Sequence, residues 1–418
     1  MLDHKGLFWY FQGHMAKKKQ KKITVGFVAL GCPKNIVDSE RMLAEIAHAG
    51  LIITNDPDNA DAVVINTCGF IAPAKAEALD VINHALKMKK KGKIKKIIVA
   101  GCLPQREGAK LLDQAKGIDA IVGLDQRDNI AKIVLETLGK KEIAEYLANT
   151  GIGIHDDRTR LRITLPHTAY LRISEGCNKK CSFCTIPAIR GPFRSKPMDM
   201  IVAEAEELVA SGAVELNIIA QDTTYYGSDL DMKDGLVALL QRIEKTAGLR
   251  WLRLMYLYPT GFSDRLIDTI ADSDKILNYL DIPIQHINDS VLKNMKRPDT
   301  KEHITSLIEK LRSKIPNCVL RTTVIVGFPG ETNSQFAELI EFIKWARFDN
   351  LGCFTFCPEL GTAAAELTDQ IPDDIKQQRL DELMLTQQQI AFENNERRVG
   401  TKLKCLLDSV DELSLIHI

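Results

Sequence analysis

The chain has 418 residues, of which 45% are hydrophobic and 26% charged. Its length suggests two or three domains, each able to bury a core. Lysine plus arginine equals aspartate plus glutamate at 55 each, which excludes the overall positive charge typical of wholesale nucleic-acid binding. No apolar run approaches the length that spans a membrane, and no secretory signal opens the chain, so we expect a soluble, cytoplasmic protein.

Residues 1–22 are expected to lie outside the fold. The first fifteen residues have no periodicity, and YFQGHM at 10–15 resembles the remnant of a cleavable expression tag. The basic segment KKKQKK at 17–22 is interpreted as a solvated tail. Fold assignment therefore starts at Ile23.

From residue 23 to 147, short apolar runs alternate with amphipathic stretches. The runs ITVGFVAL, LIITN, AVVINTC, KKIIVAGC and AIVGL predict strands of a parallel sheet with helices on its faces. Three of these strands lead directly into a cysteine: Cys32, Cys68 and Cys102. Because loops at the carboxyl ends of parallel strands share one edge, we expect the three thiols to lie together and to bind one shared ligand.

A second alternation runs from residue 169 to 398. Its apolar runs are AYLRIS, ELNIIAQD, LRWLRLMYL, ILNYLDIPIQ, NCVLRTTVIVGF and LGCFTFC, each followed by a helix-length amphipathic segment. Six such units predict a partial (β/α)6 barrel open on one side. The fold class is therefore α/β, a parallel-sheet domain followed by a partial barrel, with the polar, turn-rich residues 148–168 as a linker.

The end of the chain predicts a fragment of a third domain. After Arg398, the segment GTKLKCLLDSVDE indicates one more strand at 401–408, and the chain then stops at LSLIHI. Some twenty residues cannot close a β domain by themselves. Residues 399–418 are therefore interpreted as a truncated β segment.

The loop after the first barrel strand contains three clustered cysteines. In SEGCNKKCSFCTIPAIRG, residues 174–191, Cys177, Cys181 and Cys184 have Cys-x3-Cys-x2-Cys spacing. Unliganded thiolates clustered in a polar loop would oxidise, which favours a metal site. Zinc needs a fourth protein ligand, and no nearby cysteine or histidine supplies one. A 4Fe-4S cluster with three cysteines leaves one iron open for a substrate or cofactor, so we favour iron–sulfur and keep zinc as the alternative.

The motif CNKKCSFC at this place in a barrel resembles the radical S-adenosylmethionine (SAM) superfamily. Together with an N-terminal domain that carries three separated cysteines, the resemblance narrows to the methylthiotransferase family. It implies that Cys177, Cys181 and Cys184 hold a 4Fe-4S cluster whose open iron binds SAM. It also implies that Cys32, Cys68 and Cys102 hold a second, auxiliary 4Fe-4S cluster, and that the enzyme is a transferase.

Longer motifs indicate the branch of this family. The segments GFVALGCPKNIVDSE, LRISEGCNKKCSFCTIPAIRG, IAQDTTYYG and QHINDSVLKNMKRP are similar to the branch that methylthiolates the β-carbon of an aspartate in small-subunit ribosomal protein uS12. The tRNA-modifying branch differs in the first, third and fourth of these segments and is the first alternative. A zinc-stabilised binding protein without turnover is the alternative from another class.

The resemblance also implies further contacts and partners. Six barrel residues are predicted to contact SAM: Gln221, Asp222, Gly327, Gly330, Arg194 and Arg253. The expected partners are ribosomal protein uS12 as substrate and an electron donor of the flavodoxin type, while neither nucleic acid nor a membrane is expected. The segment at 401–408 resembles the start of a TRAM domain, the β module with which these enzymes bind a macromolecular substrate.

Overall fold

The protein is seen in a computed structural model that describes residues 22–147 and 152–408. The predicted tag and basic tail at 1–22 lie outside the described residues, apart from Lys22, as do residues 148–151 and 409–418.

The first half of the chain forms a six-stranded sheet of order β2-β1-β3-β4-β5-β6, in which every pair is parallel. Its strands are β1 (Thr24–Ala29), β2 (Ile52–Thr54), β3 (Ala62–Thr67), β4 (Lys96–Gly101), β5 (Ala120–Val122) and β6 (Ala144–Tyr146). The parallel sheet and its first five strands are confirmed. The chain order reverses between β1 and β3, which opens a crevice at their carboxyl ends.

Helices cover both faces of this sheet. They are α1 (Pro33–His48), α2 (Ala72–Lys90), α3 (Cys102–Glu107), α4 (Lys110–Gln114) and α5 (Ile130–Gly139). β3 is buried along its whole length, so Val63 packs with Ile82 of α2 while Val64 packs with Met42 of α1. Burial on both faces explains why the strand is a continuous apolar run rather than an alternating one.

The second half forms a six-stranded parallel sheet of order β14-β13-β12-β11-β10-β7, and a two-stranded antiparallel ribbon, β8-β9, lies beside it. The strands are β7 (Thr168–Arg172), β8 (Ser174–Glu175), β9 (Arg194–Ser195), β10 (Glu215–Ile219), β11 (Trp251–Leu254), β12 (Ile276–Asp281), β13 (Val319–Val326) and β14 (Asn350–Thr355). β7 and β14 are the two edges of this sheet, so the predicted partial barrel, open on one side, is confirmed.

The barrel strands separate a helix-packed outer face from an open inner face. Outside lie α7 (Met198–Ala210), α8 (Gly235–Ile243), α9 (Asp264–Ala271), α10 (Asp289–Asn294), α11 (Lys301–Lys314), α12 (Asn333–Ala346) and α13 (Asp373–Glu396). The short helix α6 (Ile186–Arg190) instead packs against α3 of the first half. Along β13, Leu320 and Val324 are buried in the outer core, while Arg321 and Ile325 are half-buried on the inner face, the lumen. Among the described helices, none is long and apolar enough to cross a membrane.

The segment 152–167, within the predicted linker, is not a solvated tether. Asp157 is 1% exposed and Arg160 is 8% exposed. Asp157 forms ion pairs with Arg127, which follows β5, and with Arg172 of β7. This segment is therefore packed between the two halves of the chain.

The strand predicted at 401–408 is wrong. These residues have no regular secondary structure, and Leu403 and Leu407 are 69% and 70% exposed. A strand needs a neighbour for its backbone hydrogen bonds, and no strand of residues 22–147 or 152–408 pairs with this segment. The rest of the predicted TRAM-like segment, residues 409–418, lies outside the described residues.

Candidate functional site

The first candidate site is a group of three thiols at the carboxyl edge of the first sheet. Cys32 follows β1, Cys68 follows β3 and Cys102 follows β4. β3 and β4 pair up to their last residues, so Cys68 and Cys102 leave the sheet side by side. A Cβ added at Gly31 would lie 2.9 Å from the Cβ of Cys68, which puts the Cys32 loop against the Cys68 loop. The structure thus brings together the three thiols predicted to share a ligand.

Glycines make this close packing possible. Gly31 and Gly101 directly precede two of the cysteines, with φ of 95° and 98°. A Cβ at Gly101 would lie 2.2 Å from Oδ1 of the buried Asn66. Glycine adopts this backbone conformation without steric cost, and there is no space for a side chain. The sequence therefore has glycine where the chain turns from strand into ligand loop.

The thiols of this first group range from exposed to buried: Cys32 is exposed, Cys68 is half-buried and Cys102 is buried beside a cation. Burial raises the pKa of Cys68 and raises that of Cys102 to about 12, and the guanidinium of Arg190 opposes both shifts. Nη2 of Arg190 donates a hydrogen bond to Sγ of Cys102 across 3.4 Å. Buried thiols of this kind become thiolates when a metal binds them.

The second candidate site is the loop between β8 and α6, which contains Cys177, Cys181 and Cys184. The amide N of Cys184 donates to the carbonyl O of Cys181 across 3.1 Å, and that of Cys177 donates across 3.2 Å to the carbonyl O directly after α6. Gly176 has a φ of 71°, and a Cβ there would lie 2.1 Å from the carbonyl O of Pro192. Here too a glycine directly precedes a cysteine because no side chain fits.

This loop faces an open cavity. Its three cysteines line a space of about 450 Å³, together with Lys179 and Lys180. Burial raises the pKa of Cys177 and raises that of Cys184 to about 12. The cavity is far larger than the roughly 30 Å³ that a water occupies, so it has room for a ligand beside the thiols.

Lys179 is held beside the loop by aromatic rings. Its Nζ lies 4.1 Å from the ring centre of Tyr258 and 5.5 Å from that of Tyr225, at cation–π distances. It also lies 3.6 Å from Oδ2 of Asp222, an oxygen without a hydrogen-bond partner among the described residues. Burial raises the pKa of Asp222. Asp222, a predicted SAM contact, thus presents a buried acceptor next to the cysteine loop.

Gln221, the second predicted contact at this strand end, has partners within the protein. Its Oε1 accepts a hydrogen bond from Nζ of Lys34 across 2.6 Å, and its Nε2 donates to Glu175 across 3.2 Å. Lys34 lies on α1, two residues after Cys32. Gln221 therefore connects the barrel to the helix that follows the first ligand loop.

The two predicted arginines lie in different surroundings. Arg253 is on the lumen side of β11, where it pairs with Glu215 across 2.6 Å and lies 4.8 Å above the ring of Tyr279. Arg194 lies in β9, opposite Glu175 of β8, and is exposed. Arg253 therefore faces the lumen with its charge already paired, whereas Arg194 is exposed.

The two predicted glycines lie against α13. Gly327 and Gly330 have φ of 71° and 77°. A Cβ at Gly327 would lie 2.3 Å from Cγ of Lys376, and the amide N of Gly330 donates to the carbonyl O of Asp369 across 2.8 Å. The close approach that these glycines permit is therefore to the chain at 369–376.

Cys32 of the first thiol group lies within electrostatic range of two tyrosines of the barrel. Tyr170 of β7 and Tyr256, directly after β11, are half-buried. Burial raises the pKa of both phenols, and the nearby Cys32 thiol adds to each shift. Tyr256 also has a φ of 60°, a conformation that costs free energy in a residue other than glycine. Cys32 therefore lies close to two rings on the lumen side.

A buried group of charged side chains, which the sequence did not predict, joins the two sheets. Asp38 of α1 accepts from Arg172 across 2.6 Å and from Arg190 across 3.1 Å. Asp157 accepts from Arg172 across 2.5 Å and from Arg127 across 3.0 Å. Each of these five side chains is at most 5% exposed. With Lys34 and Glu175, they form what we term the inter-sheet charge cluster.

The carboxylates of the inter-sheet charge cluster are ionised. Burial by itself would raise the pKa of Asp38, but the guanidinium groups around it hold it at about 2. Burial acts the same way on Glu175, yet Lys34 at 3.1 Å and Arg190 at 3.0 Å keep its pKa well below the ordinary value. Removing one partner from such a buried set leaves an uncompensated charge, which typically costs about 3–5 kcal/mol.

The sequence contains only a weak signal for this cluster. Lys34 and Asp38 are four residues apart in α1 and therefore share one face of the helix. Charged residues at that spacing are usually a solvated face, and Arg190 follows an unremarkable IPAI segment. Nothing local shows that these faces meet, so the cluster is visible only once both halves are folded.

Both thiol groups match the donor set of an iron–sulfur cluster. Each provides three free cysteines, and the described residues contain no group of three His, Cys, Asp or Glu side chains spaced for a single metal ion. Cluster irons are bound by cysteine thiolates, and three thiolates leave one iron of a cubane without a protein ligand. The residues present therefore fit a three-cysteine cluster at each site.

Comparison with known proteins identifies two family models in the chain. The Radical SAM superfamily matches residues 171–343, and a model described as Uncharacterized protein family UPF0004 matches residues 24–123. The first match begins in β7 and ends in α12, and it includes the cysteine loop. The second includes Cys32, Cys68 and Cys102.

Curated relatives align along almost the whole chain. The protein named ribosomal protein uS12 methylthiotransferase RimO from Geotalea uraniireducens is 44% identical to this chain, with 94% of this chain and 87% of that protein covered. The protein of that name from Pelotomaculum thermopropionicum is 46% identical, with 92% and 87% covered. That from Geobacter sulfurreducens is 42% identical, with 95% and 88% covered.

Solved structures share the fold at low identity. The radical S-adenosylmethionine methyltransferase TsrM from Kitasatospora setae, with cobalamin and a [4Fe-4S] cluster bound, superposes with a TM-score of 0.56 at 15% identity, covering 82% of this chain and 77% of that one. The cobalamin-dependent radical enzyme OxsB gives 0.53 at 13% identity, covering 89% and 56%. These confirm the fold class. Because relatives more than 40% identical align along more than nine tenths of its length, the chain belongs to the RimO family of radical SAM methylthiotransferases.

Proposed function

We propose that this enzyme transfers a methylthio group to the β-carbon of an aspartate in ribosomal protein uS12, with two 4Fe-4S clusters and SAM as cofactors. One observation carries the proposal: the fold gathers two groups of three thiols at the carboxyl edges of its two sheets. The relatives that match along the chain are named for this activity.

In the proposed enzyme, Cys177, Cys181 and Cys184 hold the cluster that binds SAM. When bound and reduced, that cluster supplies the electron that cleaves SAM and so provides the radical needed to remove hydrogen from an unactivated C–H bond. The loop holds the three thiols in place through its backbone hydrogen bonds, and the cavity leaves room for SAM beside them. Lys179, fixed between its tyrosines, keeps a positive charge at the edge of that space.

We assign Asp222 to binding the amino group of SAM. Its Oδ2 is buried beside the loop and accepts no hydrogen bond from residues 22–147 or 152–408. A buried carboxylate oxygen without a donor is costly, and an ammonium group would satisfy it. Asp222→Asn should weaken SAM binding while the loop still assembles its cluster; binding is measured by equilibrium dialysis with labelled SAM.

The other predicted SAM contacts stay predictions. Gln221 and Arg253 already bind partners within the protein, and each would have to share them with SAM. Gly327 and Gly330 pack near α13, and Arg194 is exposed in β9. Among the six, Asp222 has the strongest support, because its Oδ2 is paired with Lys179 at 3.6 Å but accepts no hydrogen bond from the described residues.

In the proposal, Cys32, Cys68 and Cys102 hold the auxiliary cluster. When bound, that cluster provides an open iron site for the sulfur that becomes the methylthio group. The closeness of Cys32 to Tyr170 and Tyr256 supports this assignment, because a sulfur donor has to reach a substrate held in the lumen. The side chains of the lumen would exclude water from the reacting carbon.

The proposed partners follow from this chemistry. Ribosomal protein uS12 is the substrate, and reduction of the clusters calls for a one-electron donor, which we propose to be of the flavodoxin type. The cytoplasmic location expected from the sequence stays a prediction.

The proposal is tested with both macromolecular substrates of the wider family present together. The anaerobically reconstituted protein is incubated with SAM, a reductant, ribosomal protein uS12 and unmodified tRNA, and the products are analysed by mass spectrometry. A methylthio group on an aspartate of uS12 is expected. A methylthio group on tRNA would instead assign the chain to tRNA modification, and deoxyadenosine without either product would contradict the transfer step.

Metal analysis of the same sample tests the cofactors. The expected protein is brown and contains iron and sulfide. A colourless protein that contains zinc and cleaves no SAM would support the alternative of a zinc-stabilised binding protein. The Cys181→Ala variant serves as the control, because it should lose SAM cleavage and the product on uS12 together.

A further inference from the structure

One residue of the inter-sheet charge cluster contacts a proposed ligand of the auxiliary cluster. Arg190 is the last residue of α6, the short helix that begins two residues after Cys184. Its side chain is 3% exposed. It therefore extends from the loop that holds one set of thiols into the site that holds the other.

The guanidinium of Arg190 is fixed by three oxygens as well as a sulfur. Nη1 donates to Oε1 of Glu175 across 3.0 Å, and Nη2 donates to Oδ1 of Asn35 across 2.8 Å and to Oδ2 of Asp38 across 3.1 Å. Nη2 also lies 3.4 Å from Sγ of Cys102. Because Nη2 has two N–H groups for these three acceptors, the hydrogen bond to sulfur shares its hydrogen with one of the oxygens. With these partners the planar group has little freedom to turn away from the sulfur.

A hydrogen bond from a cation to a ligand sulfur changes the energetics of the cluster. Reduction adds one negative charge to the cluster, and a donor at the sulfur stabilises the more negative state. The effect is strong in a buried site, because little water screens the charge. Arg190 meets each condition, since it is cationic, buried and oriented by neighbouring acceptors.

We propose that Arg190 is a positioning residue that raises the reduction potential of the auxiliary cluster by donating a hydrogen bond to its ligand Cys102. The inference rests on the proposed function, in that Cys32, Cys68 and Cys102 hold a cluster. It adds a role for a residue outside the thiol groups. Because α6 directly follows the other cysteine loop, the same contact also fixes the register of one site relative to the other.

The test is a redox titration of the full chain with both clusters, followed by electron paramagnetic resonance. The auxiliary signal is the one that Cys102→Ala removes and Cys181→Ala retains. Arg190→Gln removes the charge and should lower the auxiliary potential, making the reduced state about tenfold less favoured, which is about 59 mV for one electron. With ¹⁵N-labelled arginine, the hyperfine coupling of one guanidinium nitrogen should disappear in the same variant.

Arg127→Gln is the matched control. Arg127 is 2% exposed and belongs to the same cluster, and its polar contacts are to carboxylates. The Arg127→Gln variant removes a buried guanidinium that donates to no cysteine among the described residues, so it should shift the auxiliary potential less than Arg190→Gln does and leave the nitrogen coupling unchanged. An unchanged potential in Arg190→Gln, or an equal shift in Arg127→Gln, would overturn the proposal.

Two further results separate this inference from the proposed function. If the unaltered chain binds no cluster at Cys102, the proposed function and this inference are both contradicted. If the cluster assembles but its potential does not depend on Arg190, only the inference is contradicted. Should Arg190→Gln fail to assemble the cluster, Arg190→Lys is compared with Arg127→Lys by the same criterion. Lysine keeps the charge but loses the planar donor, so the expected shift has the same sign and is smaller.

Discussion

Cys32, Cys68 and Cys102 come from three strand ends that are distant in the chain, whereas Cys177, Cys181 and Cys184 lie within eight consecutive residues. The first group exists only when the parallel sheet has formed in the correct register, and the inter-sheet charge cluster contacts it through Arg190 and Cys102. The second group is defined by local backbone hydrogen bonds and faces an open cavity. One site thus depends on the global fold and the other on a loop.

This difference matches what each site has to do in the proposed function. A site that admits and releases SAM needs open space, which the loop provides. A site that keeps a sulfur ready for one transfer needs protection from water and a fixed orientation, which burial and the charge cluster provide. Mutations should therefore act on the two sites by different routes.

The largest effect is expected from removing a ligand at each site. Cys181→Ala should abolish SAM cleavage, because two thiolates no longer define the SAM-binding cluster, whereas Cys102→Ala should still cleave SAM but form no methylthio product. Deoxyadenosine and iron are measured for both variants, and each should lose about half of its iron. Loss of SAM cleavage in both variants would show that the two sites are not separable.

The next effect is expected at the charge cluster. Asp38→Ala leaves three buried guanidinium groups short of a partner, so the free energy of unfolding should fall by about 3–5 kcal/mol, measured by urea denaturation. Auxiliary iron should be lost before loop iron as urea rises. Asp264→Ala is the control, since its pair with Lys310 is solvent-exposed and its removal should change neither measurement. Loss of both clusters at the same urea concentration would contradict the view that the auxiliary site depends more on the global fold than the loop site does.

A smaller effect is expected from the backbone next to a ligand. Gly101→Ala combines positive φ with a steric clash against Asn66, and should cost about 2–4 kcal/mol and reduce the iron bound at the auxiliary site. Gly50→Ala has a φ of 75° but nothing within 4 Å of the added Cβ, so it should cost only about 1 kcal/mol of backbone strain. Thermal unfolding and iron content are measured; equal losses would show that the clash is relieved.

The smallest effect is expected at the opposite edge of the first sheet. Hydrogen bonds from Lys95 and from the backbone of Thr24 hold the pKa of Asp61 at about 2 instead of 3.8. A lowered carboxyl pKa contributes stability above pH 3.8 that is lost as pH falls through about 2. Asp61→Asn should therefore be less stable than the unaltered chain at neutral pH, and this difference should shrink below pH 3.8. Iron content should not change. If the stability of the variant and that of the unaltered chain followed parallel pH profiles, the lowered pKa of Asp61 would be contradicted.

The features that the sequence predicted correctly all have a local pattern. Apolar runs separated by amphipathic segments predicted both sheets, because strands that bury one or both faces are rich in apolar residues. Cysteines at three strand ends predicted that three thiols lie together, because the carboxyl edge of a parallel sheet is one place in space; their shared ligand stays a prediction. The strand predicted at 401–408 is wrong for the complementary reason: its pattern is suitable, but no strand in the described part of the chain pairs with it.

The features that escaped prediction depend on elements meeting in space. Lys34 and Asp38 look like a solvated helix face until the barrel covers them, and Asp157 looks like part of a polar turn. Arg190 gives no sign of its contact with Cys102, which is far away in the chain. Charge carries no information about its partner in a single sequence, so these contacts could be found only from coordinates.

The packed segment at 152–167 has a practical consequence for protein engineering. Asp157 binds arginines from both halves, so separating the halves leaves a buried arginine without its carboxylate partner. Chimeras that exchange the N-terminal half between relatives should succeed only when this segment and the helix faces that touch it are transplanted with it. An exchange of domains in this enzyme therefore has to include the segment 152–167 as well as the domain itself.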